Sequence, residues 1–202
     1  MISHSHKFIL ILPAKTASTT ITSALLPYVN ISTIKIQKDL NTFDFFEKSE
    51  DYISTGTVKP RKHALLSSYH ELHLKSYKLF CTIRNPFDRA CSAWRWKSKR
   101  SKIKFKEYIV NMDMNHHINQ TQLSYVDHHS IKLSDIYFIK YENIQEDFNM
   151  ACNKIGIPRK ELPHENKSNH KHYTEYYNDE TLQIVAEKYA KDIEYFDYKF
   201  GE

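Results

Sequence analysis

"FILILPAKTASTTITSALL", Phe8 to Leu26, is the stretch that decides the fold. A short apolar run from Phe8 to Leu12 stops at Pro13. A lysine follows, then a cluster of small and hydroxylated residues, then a second apolar run at helical spacing. The order is strand, tight turn, helix. Such a turn aims unpaired backbone N–H groups at one point, and the helix dipole makes that point favourable for an anion. Lys15 adds a positive charge there, and the hydroxyls of Thr16, Ser18, Thr19 and Thr20 add donors, with Ala17 and Ser18 keeping the turn tight. An ordinary Ser/Thr helix cap beside a surface lysine is the plainer alternative.

A Walker A loop needs glycines around its lysine, and none precedes Lys15. Only three glycines occur in the chain, which excludes the usual glycine-rich nucleotide loops. No acidic residue is obviously placed to hold magnesium at a strand end.

Working outward, continuous apolar runs predict strands at Lys7–Leu12, Lys78–Ile83 and Asp135–Lys140, with a weaker one at Ser32–Ile36. Runs that do not alternate suit strands covered on both faces. Helices are predicted at Thr19–Tyr28, Ala64–Leu74, Pro86–Lys97, Phe105–Met112, Ile144–Ile155 and Asp179–Tyr195. Strands separated by helices predict an α/β fold, a P-loop NTPase-like parallel sheet flanked by helices on both faces. A chain of 202 residues, 41% hydrophobic, suits a single domain over 1–202. The longest apolar run is far too short to span a membrane. No signal peptide pattern is present. Cys81, Cys91 and Cys152 have no paired spacing and read as buried thiols, so the expected compartment is the cytoplasm.

A second segment, "FCTIRNPFDRACSAW" (Phe80 to Trp94), runs from strand to helix through Arg84, with Asn85 as cap and Pro86 at the first helical position. Ser92 shares a helix face with Asn85, Asp88 and Arg89, so it looks back towards Arg84. Arg84 and Ser92 together make a second anion pocket, the guanidinium giving bidentate contacts. The alternative is that Arg84 pairs with Asp88 and Ser92 merely packs. Ligands of parallel sheets bind beyond the strands' carboxyl ends, where Lys15 and Arg84 both fall. Two pockets on one sheet edge imply a ligand with phosphates at both ends.

The pair K-T-A-S-T-T and R-N-P-F-D-R-x-x-S resembles the 5′-phosphosulfate and 3′-phosphate motifs of sulfotransferases that use 3′-phosphoadenosine 5′-phosphosulfate (PAPS), in particular the carbohydrate branch called sulfotransferase family 2. "YFIKYENIQEDFNMACNKIGIP" and "LPHENKSNHKHYTEYYNDETLQIVAEKYAKDIEYFDYKF" are similar to that branch's later segments. The resemblance covers nearly the whole chain outside about residues 30–60. It departs at Ser18, where the family often has glycine, and at Ala14, where it often has proline. A left-handed backbone at Ser18 would be strained.

The resemblance implies that Lys15, Thr16, Ala17, Ser18, Thr19 and Thr20 wrap the 5′-phosphosulfate and that Arg84 and Ser92 fix the 3′-phosphate. It also implies that Asn166 to Ser168 close over the donor, that the product is 3′-phosphoadenosine 5′-phosphate (PAP), and that no metal takes part. Sulfuryl transfer needs a base near neutral pKa and a cation at the leaving oxygen. Lys15 is the cation. His63, in "KPRKHALLSSYHEL", stands where similar family members carry a histidine and is the expected base, with Glu71 and Glu47 as alternatives. His70 and His73 read as surface or packing residues. The pairs His116–His117 and His128–His129 lack an accompanying Cys or carboxylate set and read as solvated loop histidines.

The net charge is +5, and Arg95 to Lys106 carries seven basic residues and no acid. That run suits an anionic partner, and equally a solvated face. Arg95, Lys97, Lys99 and Arg100 are the candidate acceptor contacts, the acceptor being an anionic or neutral glycan, with no specific nucleic acid expected. Two other readings remain. One is a P-loop-type nucleotide kinase. The other is a glycan- or nucleic-acid-binding protein without turnover, built on the same basic run with Trp94 and Trp96.

Overall fold

The computed structural model of the protein describes residues 1–29, 63–162 and 171–202. The weak strand expected at 32–36, Glu47 and the segment 166–168 lie outside the described residues.

Among the described residues four strands form one sheet in the order β1 (Ile2–Ser3), β2 (Phe8–Ile11), β3 (Lys78–Ile83) and β4 (Ile136–Lys140). The last three are parallel, with Ile11 beside Cys81 and Cys81 beside Phe138. The expected parallel sheet is present, with one antiparallel strand added at its edge. β1 folds back antiparallel onto β2, pairing Ile2 with Ile9 across a short polar turn.

The continuous apolar runs are continuous because both faces of the sheet are covered. On one face Phe8, Leu10, Leu12, Phe80 and Ile139 pack against helix α1 (Ser18–Leu25) and helix α5 (Ile144–Ile155), through Ile21, Phe148, Ala151 and Cys152. On the other face Ile9, Ile11, Leu79, Cys81 and Ile83 meet Leu66, Tyr69, Tyr125 and Phe196. A third cluster joins α3 (Pro86–Ser101), α4 (Phe105–Val110) and α6 (Asp179–Lys188) through Phe87, Cys91, Phe105, Ile109 and Val185. All three cysteines are buried and unpaired. Among the described residues no helix is long and apolar enough to cross a membrane.

Helix boundaries move where tertiary contacts or prolines intervene. The first predicted helix turns into a 3₁₀ turn, Leu26–Tyr28, at Pro27, which has no N–H to continue the α ladder. The helix expected over 64–74 is instead a 3₁₀ turn, Leu66–Ser68, and a short α2, Glu71–Ser76, because Tyr69 is extended between them and reaches into the core. α3 runs on to Ser101 and ends at Lys102 in the left-handed conformation. The last predicted helix breaks at Tyr189 into α6 and α7 (Ala190–Phe196), and the buried Tyr189 hydroxyl donates to the Asn119 carbonyl at 2.7 Å.

This architecture brings the segments after β2, β3 and β4 to one edge. They begin with Leu12, Arg84 and Tyr141.

Candidate active site

The loop between β2 and α1 does without glycine by placing two ordinary residues in the left-handed region, Lys15 at φ 69° and Ala17 at φ 61°. Each such residue costs about 1–2 kcal/mol. The condition for strain at Ser18, a left-handed backbone, is not met: Ser18 is the first helical residue, and the left-handed positions are Lys15 and Ala17. Alternation of left- and right-handed residues curls successive N–H groups into a concavity suited to an anion. Among the described residues no side chain caps α1 at Ala17, and its first turn holds no acid, so the helix start keeps its positive character.

Buried groups hold the loop in place. The Thr16 hydroxyl donates to the Pro13 carbonyl at 2.8 Å and lies 2.5 Å from Thr82 Oγ1 on β3. Its one proton being used, Thr82 must be the donor of that second bond. Thr16, Ser18 and Thr20 are buried, while Lys15, Ala17 and Thr19 are half-buried.

Arg84 stands beside the loop and bonds to it. Its Nη1 donates to the Lys15 carbonyl at 3.3 Å, and its guanidinium carbon lies 3.9 Å from the Tyr141 ring centre. Nε donates to Asp88 Oδ2 at 2.8 Å, and Nη2 lies 2.6 Å from the same oxygen. The Arg84–Asp88 pairing weighed as the alternative is thus what the structure contains. It fixes the guanidinium at the sheet edge, and Ser92, half-buried, follows Asp88 by one helical turn. The Arg84 backbone is gripped from both sides by Gln122, whose Oε1 accepts from the Arg84 N–H (2.7 Å) and whose Nε2 donates to its carbonyl (3.0 Å). Asn85 caps α3 as expected, accepting from the Phe87 N–H at 3.1 Å, and its own N–H donates to Glu142.

His63 joins the same edge from outside the sheet. Its Nδ1 lies 2.7 Å from the carbonyl of Leu12, the residue before Pro13. A carbonyl can only accept, so Nδ1 carries the proton and Nε2 of the neutral ring carries the lone pair. The ring stacks on His117, with centres 5.8 Å apart. Burial, and then the neighbouring His116, lower the pKa of His117. His117 is thus both the exposed loop histidine expected and the stacking partner of the expected base.

Glu71, the alternative base, is exposed and paired with Lys75 and His129, at 3.4 and 3.0 Å. The charge of Lys75 holds its carboxyl below the ordinary range, which makes it a weaker base. The expectation that no carboxylate accompanies His128–His129 is corrected, since donor atoms of Glu71, His128 and His129 lie within 4.8 Å of one another. They are already engaged with neighbours, Glu71 in its ion pairs and His128 Nδ1 with Ser130 Oγ at 3.0 Å.

The basic run occupies the far half of α3 and the turn beyond it. Lys97, Lys99 and Arg100 are exposed and Arg95 is half-buried. At 1.5 Å rise per residue the helix carries Lys99 about 10 Å beyond Ser92. Trp94 packs inward, its Nε1 donating to the Ile103 carbonyl at 2.9 Å, whereas Trp96 is exposed beneath Arg100.

Local sequence reasoning missed Arg89, His117, Gln122 and Asp192. Asp192 is fully buried and accepts from the backbone N–H groups of Gln122 and Leu123, so it supports the segment that grips Arg84. The second arginine of "RNPFDR" was a visible signal for Arg89, while the others touch the edge only through long-range contacts.

No curated protein and no solved structure matches the chain. The family model described as Sulfotransferase family, that of sulfotransferase family 2, matches residues 1–199. A match of that extent, over a fold and a sheet edge of this kind, makes the chain a member of the sulfotransferase family.

Proposed function

We propose that the protein transfers the sulfuryl group of PAPS to a hydroxyl of a carbohydrate acceptor and releases PAP. The observation that carries this reading is the hydrogen bond from Arg84 Nη1 to the Lys15 carbonyl, which joins the two anion-binding segments at one sheet edge. A donor with phosphate groups at both ends suits such a pair. The uncapped start of α1 and the glycine-free left-handed loop fit its phosphosulfate end.

In this reading the donor supplies an activated sulfuryl group. Loop residues Lys15 to Thr20 bind its 5′ end, and Arg84 with Ser92 bind its 3′-phosphate. His63 accepts the acceptor's hydroxyl proton at Nε2, its ring oriented by the Leu12 carbonyl. As the new O–S bond forms and the bond from sulfur to the phosphate oxygen breaks, Lys15 offsets the charge gathering on that oxygen. None of these roles calls on a metal. The exposed cations Lys97, Lys99 and Arg100, with Arg95 behind them, supply contacts for an anionic stretch of the acceptor. Three buried, unpaired cysteines suit a reducing compartment such as the cytoplasm.

The test is incubation with labelled PAPS and a panel of glycans, lipids and small phenols, together with PAP-induced thermal stabilisation measured with and without EDTA. Label transfer to a glycan and a metal-independent PAP shift are expected. A missing PAP shift, or one that needs magnesium, overturns the reading, and the latter result favours a nucleotide kinase. PAP binding with no transfer to any acceptor favours a polyanion-binding protein, a reading supported by the exposed cations at the end of α3.

A further inference from the structure

Arg89 is only 1% exposed, and among the described residues its cation is enclosed without a counter-charge. Among the described residues no carboxylate lies within ion-pair distance of it. Asp88, its neighbour in sequence, is taken by Arg84, and the buried Asp192 by backbone N–H groups. Nη1 donates to the Ala14 carbonyl at 3.4 Å and Nη2 to the Gln120 carbonyl at 2.5 Å. The Tyr189 ring centre is 5.0 Å from the guanidinium carbon, and Nε has no hydrogen-bond partner among the described residues. Arginine does not shed its proton to escape such a site, so the charge persists. A buried charge answered by two carbonyl dipoles and an aromatic ring, with no carboxylate among the described residues, is costly to the fold.

The two carbonyls belong to the two arms of the site. Ala14 precedes the left-handed loop, and Gln120 lies two residues before the glutamine that grips Arg84. Tyr125, from the same segment as Gln120, also interacts with the Ala14 backbone.

We propose that Arg89 is a positioning residue that locks the loop 13–17 to the segment 120–122 and whose unanswered charge is balanced by the anionic donor when it binds. The proposal rests on the sulfotransferase reading above and adds to it a residue that touches neither substrate. It makes a prediction that a purely structural arginine does not. Removing the charge relieves a penalty in the ligand-free protein and weakens the ligand-bound one, so stability and affinity separate.

The experiment compares Arg89→Gln and Arg89→Lys with wild type in the full chain, reading the ligand-free melting temperature and the PAP dissociation constant by calorimetry. Arg89→Gln is expected to melt within a few degrees of wild type and to bind PAP at least about tenfold more weakly, the size of one charge-assisted hydrogen bond. Arg89→Lys keeps the charge and is expected to recover most of that affinity. PAP affinity unchanged in Arg89→Gln overturns the proposal, whatever the melting temperature. So does a loss in Arg89→Lys equal to that in Arg89→Gln. Should Arg89→Gln fail to fold, Arg89→Lys decides: PAP binding a few-fold weaker, from the lost fork, sustains the proposal, and wild-type affinity overturns it. If wild type itself binds no PAP, the sulfotransferase reading fails first, and that result is distinct from any of these.

Discussion

The proposed role of His63 as base rests on the bond its other nitrogen makes. The Leu12 carbonyl accepts from Nδ1 and so leaves the lone pair at Nε2. Only a ring with its lone pair at Nε2 can take the acceptor's proton, and the Leu12 carbonyl holds the ring in that tautomer. His117 stacks on it but, with a pKa lowered by burial and by His116, gains its own charge only at lower pH than an ordinary histidine. His63→Ala should lose about 10²–10⁴-fold in kcat while binding PAP as wild type does, read by single-turnover kinetics and calorimetry. Parallel loss of PAP affinity would make the residue structural. Ala17 offers a prediction of opposite sign. Its φ of 61° penalises any Cβ, so Ala17→Gly should relieve about 1 kcal/mol of strain. Part of that gain is offset by the added freedom of the unfolded chain. A rise in melting temperature of about 2 °C is expected, and a fall would show that the loop is not strained there. Lys15 to Thr20 could be read from the sequence because neighbours in the chain form the loop. Arg89 could not be assigned its role, since its partner Ala14 lies 75 residues away and nothing local marks the contact.

Among the elements, the strands were legible because burial on both faces writes itself as an unbroken apolar run. β1 was not, being two residues long and followed by a polar turn that carries no strand signal. The helices show where local pattern yields to packing. Ile144–Ile155 ends where Gly156 adopts φ 85°, a stop the sequence displays openly. The break at Tyr189 has no such mark, because it serves a hydroxyl that must reach Asn119. α3 is the element on which the acceptor question turns. Its first turn carries Asp88 and is capped by Asn85, and its last turn carries Lys99 and Arg100, each end complementing the helix dipole. Reversing Lys99, Arg100 and Lys102 to Glu should cost roughly 0.3–1 kcal/mol of stability per charge. It should also raise the acceptor KM and flatten its salt dependence while PAP affinity holds. The separation of about 10 Å from Ser92 to Lys99 means that only an extended acceptor can feel the change. Equal KM values for wild type and the triple variant, across salt concentrations, would make the run a solvated face.

At the scale of the whole molecule, each of the three packing clusters contains one cysteine, which makes the thiols a probe of how the molecule opens. Cys152 lies in the cluster under α1 and α5, Cys81 on the opposite face of the sheet, and Cys91 between α3, α4 and α6. Burial pushes Cys91 up to about 12 and raises the other two, so none presents a thiolate near pH 8 while folded. Labelling by a thiol reagent must then wait for opening, and its rate reports the population of the open form when reclosing is fast. The proposed site is built from the loop before α1, the end of β3 and the first turns of α3, and these elements contribute residues to all three clusters. If the molecule opens as one unit, the three cysteines should label at a common rate in the ligand-free protein. PAP at a hundred times its dissociation constant should slow all three by about a hundredfold, since binding only the folded form stabilises it by about 2.7 kcal/mol. Mass spectrometry of each cysteine-containing peptide over time gives the three rates separately. Faster labelling of Cys152 alone, with no protection by PAP, would show that the α1–α5 layer opens by itself and that the loop preceding α1 is not held from the other face.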